Sequence, residues 1–301
     1  MVIGLGLQST IPHPTTSVEF AYQTDVSWSF DGTNDNINLG NNASLKPTEQ
    51  ITVASWIKHE DWQQTGTSDY IISNVQYPGG WRLSYDNTKV SCLVRVDNAG
   101  KQLVSGWRTF ALGSGAGDGS GYGATHYRES GWHHVGFTFD GRYLKLYIDG
   151  GLAGSGTNTL DLGSSGNLME YADAGTNADV DTMIGADPNV GDGSSGSSPG
   201  STGHFSGYIN ECAVWSSALT ADAFEEIFNH VVVSPGYTLD LKKDWGNYTY
   251  SENLVGLWRA DPVVGAGAGA LEDLSQNTNN GTLINGVGHV LPSDDANNVP
   301  A

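Results

Sequence analysis

The sequence predicts an all-β protein built as a sandwich or a barrel, and three observations support this. Polarity comes from Gly, Ser, Thr and Asn more than from charge, since 41 residues are glycine and only 15% are charged. Apolar residues recur at every second position in many short runs, which is the period of a half-buried strand. Turn signals such as Asp-Gly separate these runs. Many short strands with frequent turns favour a sandwich or a barrel over a helical fold.

The strand-like runs follow one another through the first two thirds of the chain. In order they are VEFAY, VSWSF, NINLG, ITVASWIKH, YIISNV, WRLSYD, KVSCLVRVD, HHVGFTFD, YLKLYIDG and GYINECAVW. Asp-Gly pairs at 31–32 and 140–141 mark two of the turns. The segment FDGRYLKLYIDGG therefore predicts two strands joined by a tight turn.

Changes in composition divide the chain into three parts. Residues 1–17 form a weakly patterned N-terminal arm with two prolines, and residues 18–235 carry the regular strand pattern. Residues 236–301 form a C-terminal extension with a strand, LVGLWRAD, and a short hairpin. We expect this extension to pack on the body or on neighbouring proteins.

One segment, LTADAFEEIFNH at 219–230, has the period of a helix. Thr220 is suited to the N-cap, and Phe224, Ile227 and Phe228 fall at the spacing of one helical face. The sequence therefore predicts one short amphipathic helix that packs on the β body.

The charge and the two cysteines exclude several classes of protein. The chain has 33 acidic and 13 basic side chains, a net charge of −20, so we expect no nucleic-acid partner. It has no apolar run long enough to cross a membrane and no recognisable signal peptide, which predicts folding in a cytoplasm. Cys92 and Cys212 lie in strand-like runs without further cysteines, so we expect free, buried thiols.

Four motifs in a fixed order resemble one family. FDGTNDNINLGNNASLKPTEQITVASWIK is followed by WHHVGFTFDGRYLKLYIDGGLAGS at 132–155, then MIGAD at 183–187 and GHFSGYINECAVWSSALTADAFEEIF at 203–228. These segments resemble the opening turn, the central hairpin and the closing strand and helix of laminin-G-like, concanavalin-A-like domains. The resemblance implies a jelly-roll β-sandwich with one short C-terminal helix and flanking arms.

A second resemblance concerns the biological setting. The segment LVGLWRAD…LEDLSQNTNNGTLING at 254–286, the Gly-rich start MVIGLGL and the phrase WSFDGTNDNINLG are similar to virion surface proteins of aquatic tailed bacteriophages. This implies a non-enzymatic capsid decoration, fibre or knob protein that assembles in the host cytoplasm. Its partners would be other virion proteins and its own copies. The alternative is a carbohydrate-binding tail-fibre or adhesin domain that recognises host surface polysaccharide.

The sequence offers no catalytic motif. Retaining glycosidases of this fold place two carboxylates on one strand face as E-x-D-x-E, which does not occur in the chain. The motifs H-E-x-x-H and G-x-x-x-x-G-K-[ST] are also absent. His133 and His134 are neighbours on one predicted strand, so they point to opposite faces and cannot chelate one ion together. We therefore expect no enzymatic activity.

Calcium is the cofactor that the acidic residues suggest, because it takes carboxylate, carbonyl and water oxygens. One predicted place combines Asp31 and Asp35 of the knot DGTNDN with Glu211. The other is the loop with Asp187 and Asp192, which is similar in position to the calcium loop of pentraxins. For Asp31 and the glycine after it, an ordinary β-turn remains the alternative.

Glycan binding would need exposed aromatic side chains beside polar loops. Two stretches, 113–127 and 189–204, are rich in Gly and Ser and predict long surface loops. The candidate sugar-binding aromatics in or beside loops are Trp81, Trp107, Tyr122 and Tyr127. A loop aromatic can equally be a core residue, so both interpretations stay open.

Overall fold

A computed structural model shows a two-sheet β-sandwich. It describes residues 21–23, 26–60, 68–76, 79–86, 89–97, 108–111, 131–152, 159–171, 180–188, 199–200, 202–233, 237–260 and 270–290. Within these ranges there is one α-helix, α1 (Ala221–Val233). The predicted all-β sandwich with a single helix is confirmed.

The larger sheet has nine strands. They are β2 (Ser27–Asp31), β4 (Ile51–His59), β10 (His133–Phe139), β11 (Tyr143–Ile148), β12 (Gly151–Leu152), β13 (Thr159–Asp161), β16 (Ser206–Trp215), β18 (Leu254–Trp258) and β21 (Gly288–Val290). Their order is β12-β11-β10-β4-β16-β2-β21, while β13 pairs with β11 and β18 pairs with β16. The pairs are antiparallel, as hairpins and long return connections require.

The second sheet has eight strands. They are β3 (Asn36–Asn38), β5 (Ser68–Gln76), β6 (Gly79–Asp86), β7 (Lys89–Val94), β9 (Arg108–Ala111), β15 (Met183–Ile184), β19 (Ala270–Leu271) and β20 (Gly281–Ile284). Their order is β19-β20-β3-β15-β5-β6-β7-β9. Two further pairs join β1 (Ala21–Gln23) to β17 (Tyr237–Leu239), and β8 (Val96–Asp97) to β14 (Leu168–Met169). Short 3₁₀ turns occupy Ala43–Leu45 and Ser251–Asn253.

The main core lies between the two sheets. Trp28, Phe137 and Ile209 enter it from the nine-stranded sheet, and Ile37 and Trp81 enter it from the eight-stranded sheet. All five are 0% exposed. Alternate residues of each strand face this core, which is the pattern that the period-two runs predicted.

The two cysteines behave as small core residues. Cys92 and Cys212 are both buried with free thiols, as predicted. Burial raises the pKa of the Cys212 thiol to about 12. The thiolate, which is the reactive form, is therefore strongly disfavoured there.

Helix α1 covers part of the other face of the nine-stranded sheet. The Thr220 hydroxyl accepts the Ala223 backbone N–H at 3.3 Å, which confirms the predicted N-cap. Phe224 stacks on Tyr147 with ring centroids 4.0 Å apart. This close approach needs a glycine beneath it, because a Cβ at Gly136 would come within 2.7 Å of the Phe224 ring.

The helix is also too short to span a bilayer. It has 13 residues, and no helix in the described ranges combines the length and apolar character of a membrane span.

The residues after 236 supply strands to both sheets. β18 pairs with β16 and β21 with β2 in the nine-stranded sheet, and β20 pairs with β3 in the eight-stranded sheet. Between them, the Asp273 carboxylate accepts backbone N–H groups of Leu257, Ser275 and Asn279. Strands from this segment thus complete the same sandwich that the earlier residues begin.

A buried ion pair joins this C-terminal segment to the body. Glu211 lies at a β-bulge of β16, where the pairing with β4 shifts, and its φ of 48° is unusual for a residue with a side chain. Its carboxylate accepts Arg259 Nε–H at 2.6 Å and the Thr238 hydroxyl at 2.7 Å. Arg259 also donates to the Leu239 carbonyl at 2.8 Å. Burial raises the pKa of Glu211, and Arg259 opposes that shift.

We expect Arg259→Met to lower the free energy of unfolding by about 3–5 kcal/mol, because Glu211 would keep a buried charge without a partner. Denaturant unfolding measures this change. Adding Glu211→Gln should recover part of the loss. Arg142→Met is the matched control, since its ion pair with Asp161 is largely solvent-exposed and should affect stability little. A stable Arg259→Met variant would show that this pair does not hold the segment in place.

His134 is a second buried polar residue, in register with a tryptophan. It pairs with Trp56 across β10 and β4, and its ring lies 5.1 Å from Trp56 and 5.9 Å from Phe224. Burial lowers the pKa of His134 to about 4, although the Asp149 carboxylate acts in the opposite direction. The imidazole is therefore neutral at neutral pH.

Stability should fall as the pH drops because of His134. In the unfolded chain its pKa is about 6.5, so below that pH the unfolded state binds the proton more readily than the native state. The stabilisation is fully present above about pH 6.5 and lost progressively towards pH 4, by roughly 3 kcal/mol. Comparing unfolding of the wild type and His134→Phe from pH 7 to 4 isolates this contribution, because carboxylates titrate equally in both. Parallel pH profiles would contradict the assignment.

Candidate functional site

The knot DGTNDN is a turn held by backbone N–H groups of its own residues and of Gly286. Asp31 Oδ1 accepts the backbone N–H groups of Thr33 and Asn34, at 2.8 and 3.4 Å. The Asp35 carboxylate accepts the N–H of Asp31 at 3.1 Å and that of Gly286 at 2.7 Å. Backbone donors thus occupy oxygens of both carboxylates, which is how Asp stabilises a turn.

The predicted calcium group of Asp31, Asp35 and Glu211 is not formed. Asp31 pairs with Ser206, and Glu211 lies five residues further along β16. At about 3.3 Å per residue this separates the two carboxylates by about 16 Å. Glu211 is also held by Arg259. Within the described ranges no group of three or more His, Cys, Asp or Glu residues could hold a metal ion.

The outer face of the eight-stranded sheet carries a cluster of polar and aromatic side chains. Arg82 alternates in β6 with Trp81, Leu83 and Tyr85, which belong to the core between the sheets. Alternation directs the Arg82 side chain away from that core, and 18% of it is exposed. It can therefore reach solvent from the middle of a rigid strand.

Tyr70 and Asp187 complete this cluster. The Arg82 guanidinium lies 5.0 Å from the centroid of the Tyr70 ring and 3.7 Å from the Asp187 carboxylate. Ser73, the cross-strand partner of Arg82, donates its hydroxyl to Asp187 at 3.1 Å. Gly203 lies against the Tyr70 ring, where a Cβ would come within 2.1 Å of it. We call Tyr70, Ser73, Arg82 and Asp187 the outer-face cluster.

The hydrogen bonding of Arg82 Nε differs from that of the corresponding atom in a similar arginine, Arg142. Arg142 lies over Tyr143 at 4.8 Å, and its Nε and Nη2 donate to the two Asp161 oxygens at 2.8 and 2.9 Å. This bidentate pair lowers the pKa of Asp161 to about 2. In contrast, Arg82 Nε is buried without a hydrogen-bond partner. A buried donor in that state is costly unless a ligand or water completes it.

Of the four aromatic residues predicted to bind glycans, the structure describes only Trp81. Trp81 is not an exposed platform: it is 0% exposed and donates its indole N–H to the Leu45 carbonyl at 3.0 Å. The glycine-rich turn before it suggested a loop, but the residue lies in β6 and faces the core. Trp107, Tyr122 and Tyr127 lie outside the described residues.

The second predicted calcium position stays a prediction. Asp192 lies outside the described residues. Asp187 is described, and its oxygens contact Ser73 and Arg82. The cation of Arg82 disfavours a second cation at the same carboxylate. Calcium at this loop would therefore need to displace Arg82 from Asp187.

Sequence reasoning missed Tyr70 and Arg82. Both occur in predicted strands, YIISNV and WRLSYD, where they read as ordinary alternating residues. The available signal was the alternation W-x-L-x-Y, which directs Arg82 away from the core.

Comparison with known families identifies the domain. Residues 31–223, more than half of the chain, match a laminin G family described as the concanavalin A-like lectin/glucanases superfamily. The chain belongs to this superfamily. The match confirms the laminin-G-like, concanavalin-A-like class that the four motifs predicted. No curated protein matches the chain.

Solved structures that are similar to the chain have low sequence identity to it. A candidate carbohydrate-binding protein from Bacteroides ovatus has a TM-score of 0.55 and 15% identity, over 90% of this chain and 60% of that chain. A SAP-like pentraxin from Limulus polyphemus has a TM-score of 0.44 and 16% identity, over 68% and 82%. Domains LG4-5 of the mouse laminin alpha1 chain have a TM-score of 0.40 and 13% identity, over 65% and 44%.

Proposed function

We propose that this protein recognises carbohydrate, without catalysis, through the outer-face cluster. The observation that carries the proposal is Arg82, whose Nε is buried without a partner beside a half-buried aromatic ring and a carboxylate. Sugar recognition uses a few convergent polar groups beside an apolar surface. Membership in a lectin and glucanase superfamily, and a candidate carbohydrate-binding protein with the same fold, support it. The absence of E-x-D-x-E from the sequence favours binding over hydrolysis.

The cluster has the chemistry that a sugar ring requires. The Arg82 guanidinium, whose side chain is partly exposed, can donate to a sugar hydroxyl, and Asp187 can accept from a neighbouring hydroxyl. Hydrogen bonds to charged groups contribute about 1.5–3 kcal/mol each when well aligned. The ring of Tyr70 offers an apolar surface beside them. β5 and β6 are adjacent long strands, so these groups are held before a ligand arrives.

Arg82→Gln should weaken glycan binding by at least about tenfold, because it removes a charged donor of about 1.5–3 kcal/mol. Glycan-array screening of the wild type followed by titration calorimetry on the best ligand measures the effect. Arg142→Gln is the matched control, since Arg142 also lies beside a Tyr and an Asp but has its Nε bonded to Asp161 in a bidentate pair. Equal affinities for wild type and Arg82→Gln would exclude this cluster as the site.

For the biological setting, we propose a virion surface protein of a bacteriophage that displays this recognition domain. The support is the resemblance carried by residues 254–286 and by the phrase WSFDGTNDNINLG. Residues 237–260 and 270–290 supply strands to the sandwich itself. We therefore assign attachment to other virion proteins to the arm at 1–17. Virion positions are symmetric, so the protein would act as a homo-oligomer.

Mass spectrometry of purified phage particles should detect this protein as a stoichiometric component. A copy number in the hundreds per particle indicates a capsid decoration, and a handful indicates a tail fibre or knob. Its absence from particles, together with its presence in the host cell fraction, would contradict the virion assignment and leave glycan binding as a separate question.

A further inference from the structure

A tight turn on the helix-bearing side presents an exposed tryptophan. In the described ranges, the large hydrophobic side chains classed as exposed are Leu168 at 48% and Trp245 at 40%. Trp245 donates its backbone N–H to Tyr248 at 2.8 Å and accepts the Tyr248 N–H at 2.9 Å. Gly246, with a φ of 54°, allows the chain to reverse between them.

The turn is anchored from below by Tyr248. This side chain is 0% exposed, donates its hydroxyl to the Leu241 carbonyl at 2.7 Å and accepts the Trp215 indole N–H at 2.9 Å. Trp215 belongs to β16, in the centre of the nine-stranded sheet. The base of the turn is thus attached directly to the sandwich.

Polar contacts hold both sides of the same turn. Asp244 Oδ1 accepts the backbone N–H and the hydroxyl of Ser251, at 3.1 and 2.7 Å. The Asn247 backbone N–H donates to Glu226 of α1 at 3.1 Å. A turn fixed at its base and on both sides keeps the backbone that carries the exposed indole in one place. Binding there costs little ordering entropy.

We propose that Trp245 is the platform of a second carbohydrate site, which stacks a neutral pyranose ring on its indole face. The inference rests on the proposed carbohydrate function but uses a different surface, on the helix-bearing side of the nine-stranded sheet. An exposed indole gains free energy when a sugar ring covers its apolar face. Lys242 and Asn247 lie exposed within three residues and can donate to further hydroxyls.

The surroundings of Trp245 favour a sugar over a protein partner. The neighbouring residues Lys242, Lys243, Asp244 and Asn247 are all exposed and polar. A stable protein interface buries about 1,200–2,000 Å² and has several apolar anchors, whereas this turn has one. A single aromatic ring bordered by polar groups suits one sugar unit. The net charge of −20 disfavours polyanionic glycans, so the sugar is neutral.

Affinity electrophoresis through gels that contain dextran, a galactomannan or a mixed-linkage β-glucan tests the proposal. The wild type should be retarded by at least one of these neutral polysaccharides. Trp245→Ala should weaken that retardation by at least fivefold in apparent Kd, and Trp245→Phe should retain part of it. Leu168→Ala is the control, since it removes the other exposed apolar side chain. Unchanged melting temperatures establish that the variants are folded.

Each outcome separates this inference from the proposed function. Full retardation of Trp245→Ala, together with loss in Arg82→Gln, overturns the second site and leaves the outer-face cluster as the binding site. Loss in Trp245→Ala with normal binding by Arg82→Gln supports the second site and removes the first. If no gel retards the wild type, the Trp245 sugar site is overturned. If the wild type also binds no glycan on the array, the outer-face cluster is overturned as a carbohydrate site as well. A change in oligomeric state with unchanged retardation assigns Trp245 to a protein contact and overturns the sugar site.

Discussion

The ion pair of Glu211 and Arg259 is the constraint on which the completed sandwich depends. Glu211 lies at a β-bulge in the central strand β16 and adopts a backbone conformation that side chains disfavour. Arg259 follows directly after β18, so the pair positions the strand that borders β16. Two charges taken out of water need several partners each, and Thr238 and Leu239 supply them from the same C-terminal segment. The bulge at Glu211, the bordering strand β18 and the C-terminal segment thus depend on one another.

Polar side chains in this protein differ in how many of their hydrogen-bonding atoms have a partner within the fold. We use this difference to distinguish side chains that stabilise the fold from candidates for ligand binding. The carboxylates of Asp31 and Asp273 each accept several backbone N–H groups and act as fixed parts of the backbone framework. Arg142 forms a bidentate pair with Asp161 through Nε and Nη2. Arg82 has the same kinds of neighbours but keeps a buried donor without a partner. This difference, and no difference in residue type, is what makes Arg82 a binding candidate.

Local patterns were sufficient for the elements and insufficient for the site. Period-two runs predicted the strands, and Thr220 predicted the start of α1, because both depend on neighbours in sequence. The partner of Glu211 could not be predicted, since Arg259 is 48 residues away and only the order of strands brings them together. Trp81 was misplaced for a related reason. The glycines before it suggested a loop, while its burial depends on which face of β6 meets the other sheet.

The pairing of β2 with β21 joins the beginning of the sandwich to its end, as Ser27 lies opposite Val290. During synthesis on a ribosome, at about 5–20 residues per second, one edge of β2 therefore stays unpaired for tens of seconds until β21 emerges. Until then both sheets have open strand edges, which can pair with other chains. Long-range pairing of this kind also slows folding, because the chain loses the entropy of loop closure before the stabilising contacts form. Pairing of open edges between neighbouring nascent chains is therefore a route to aggregation for this fold.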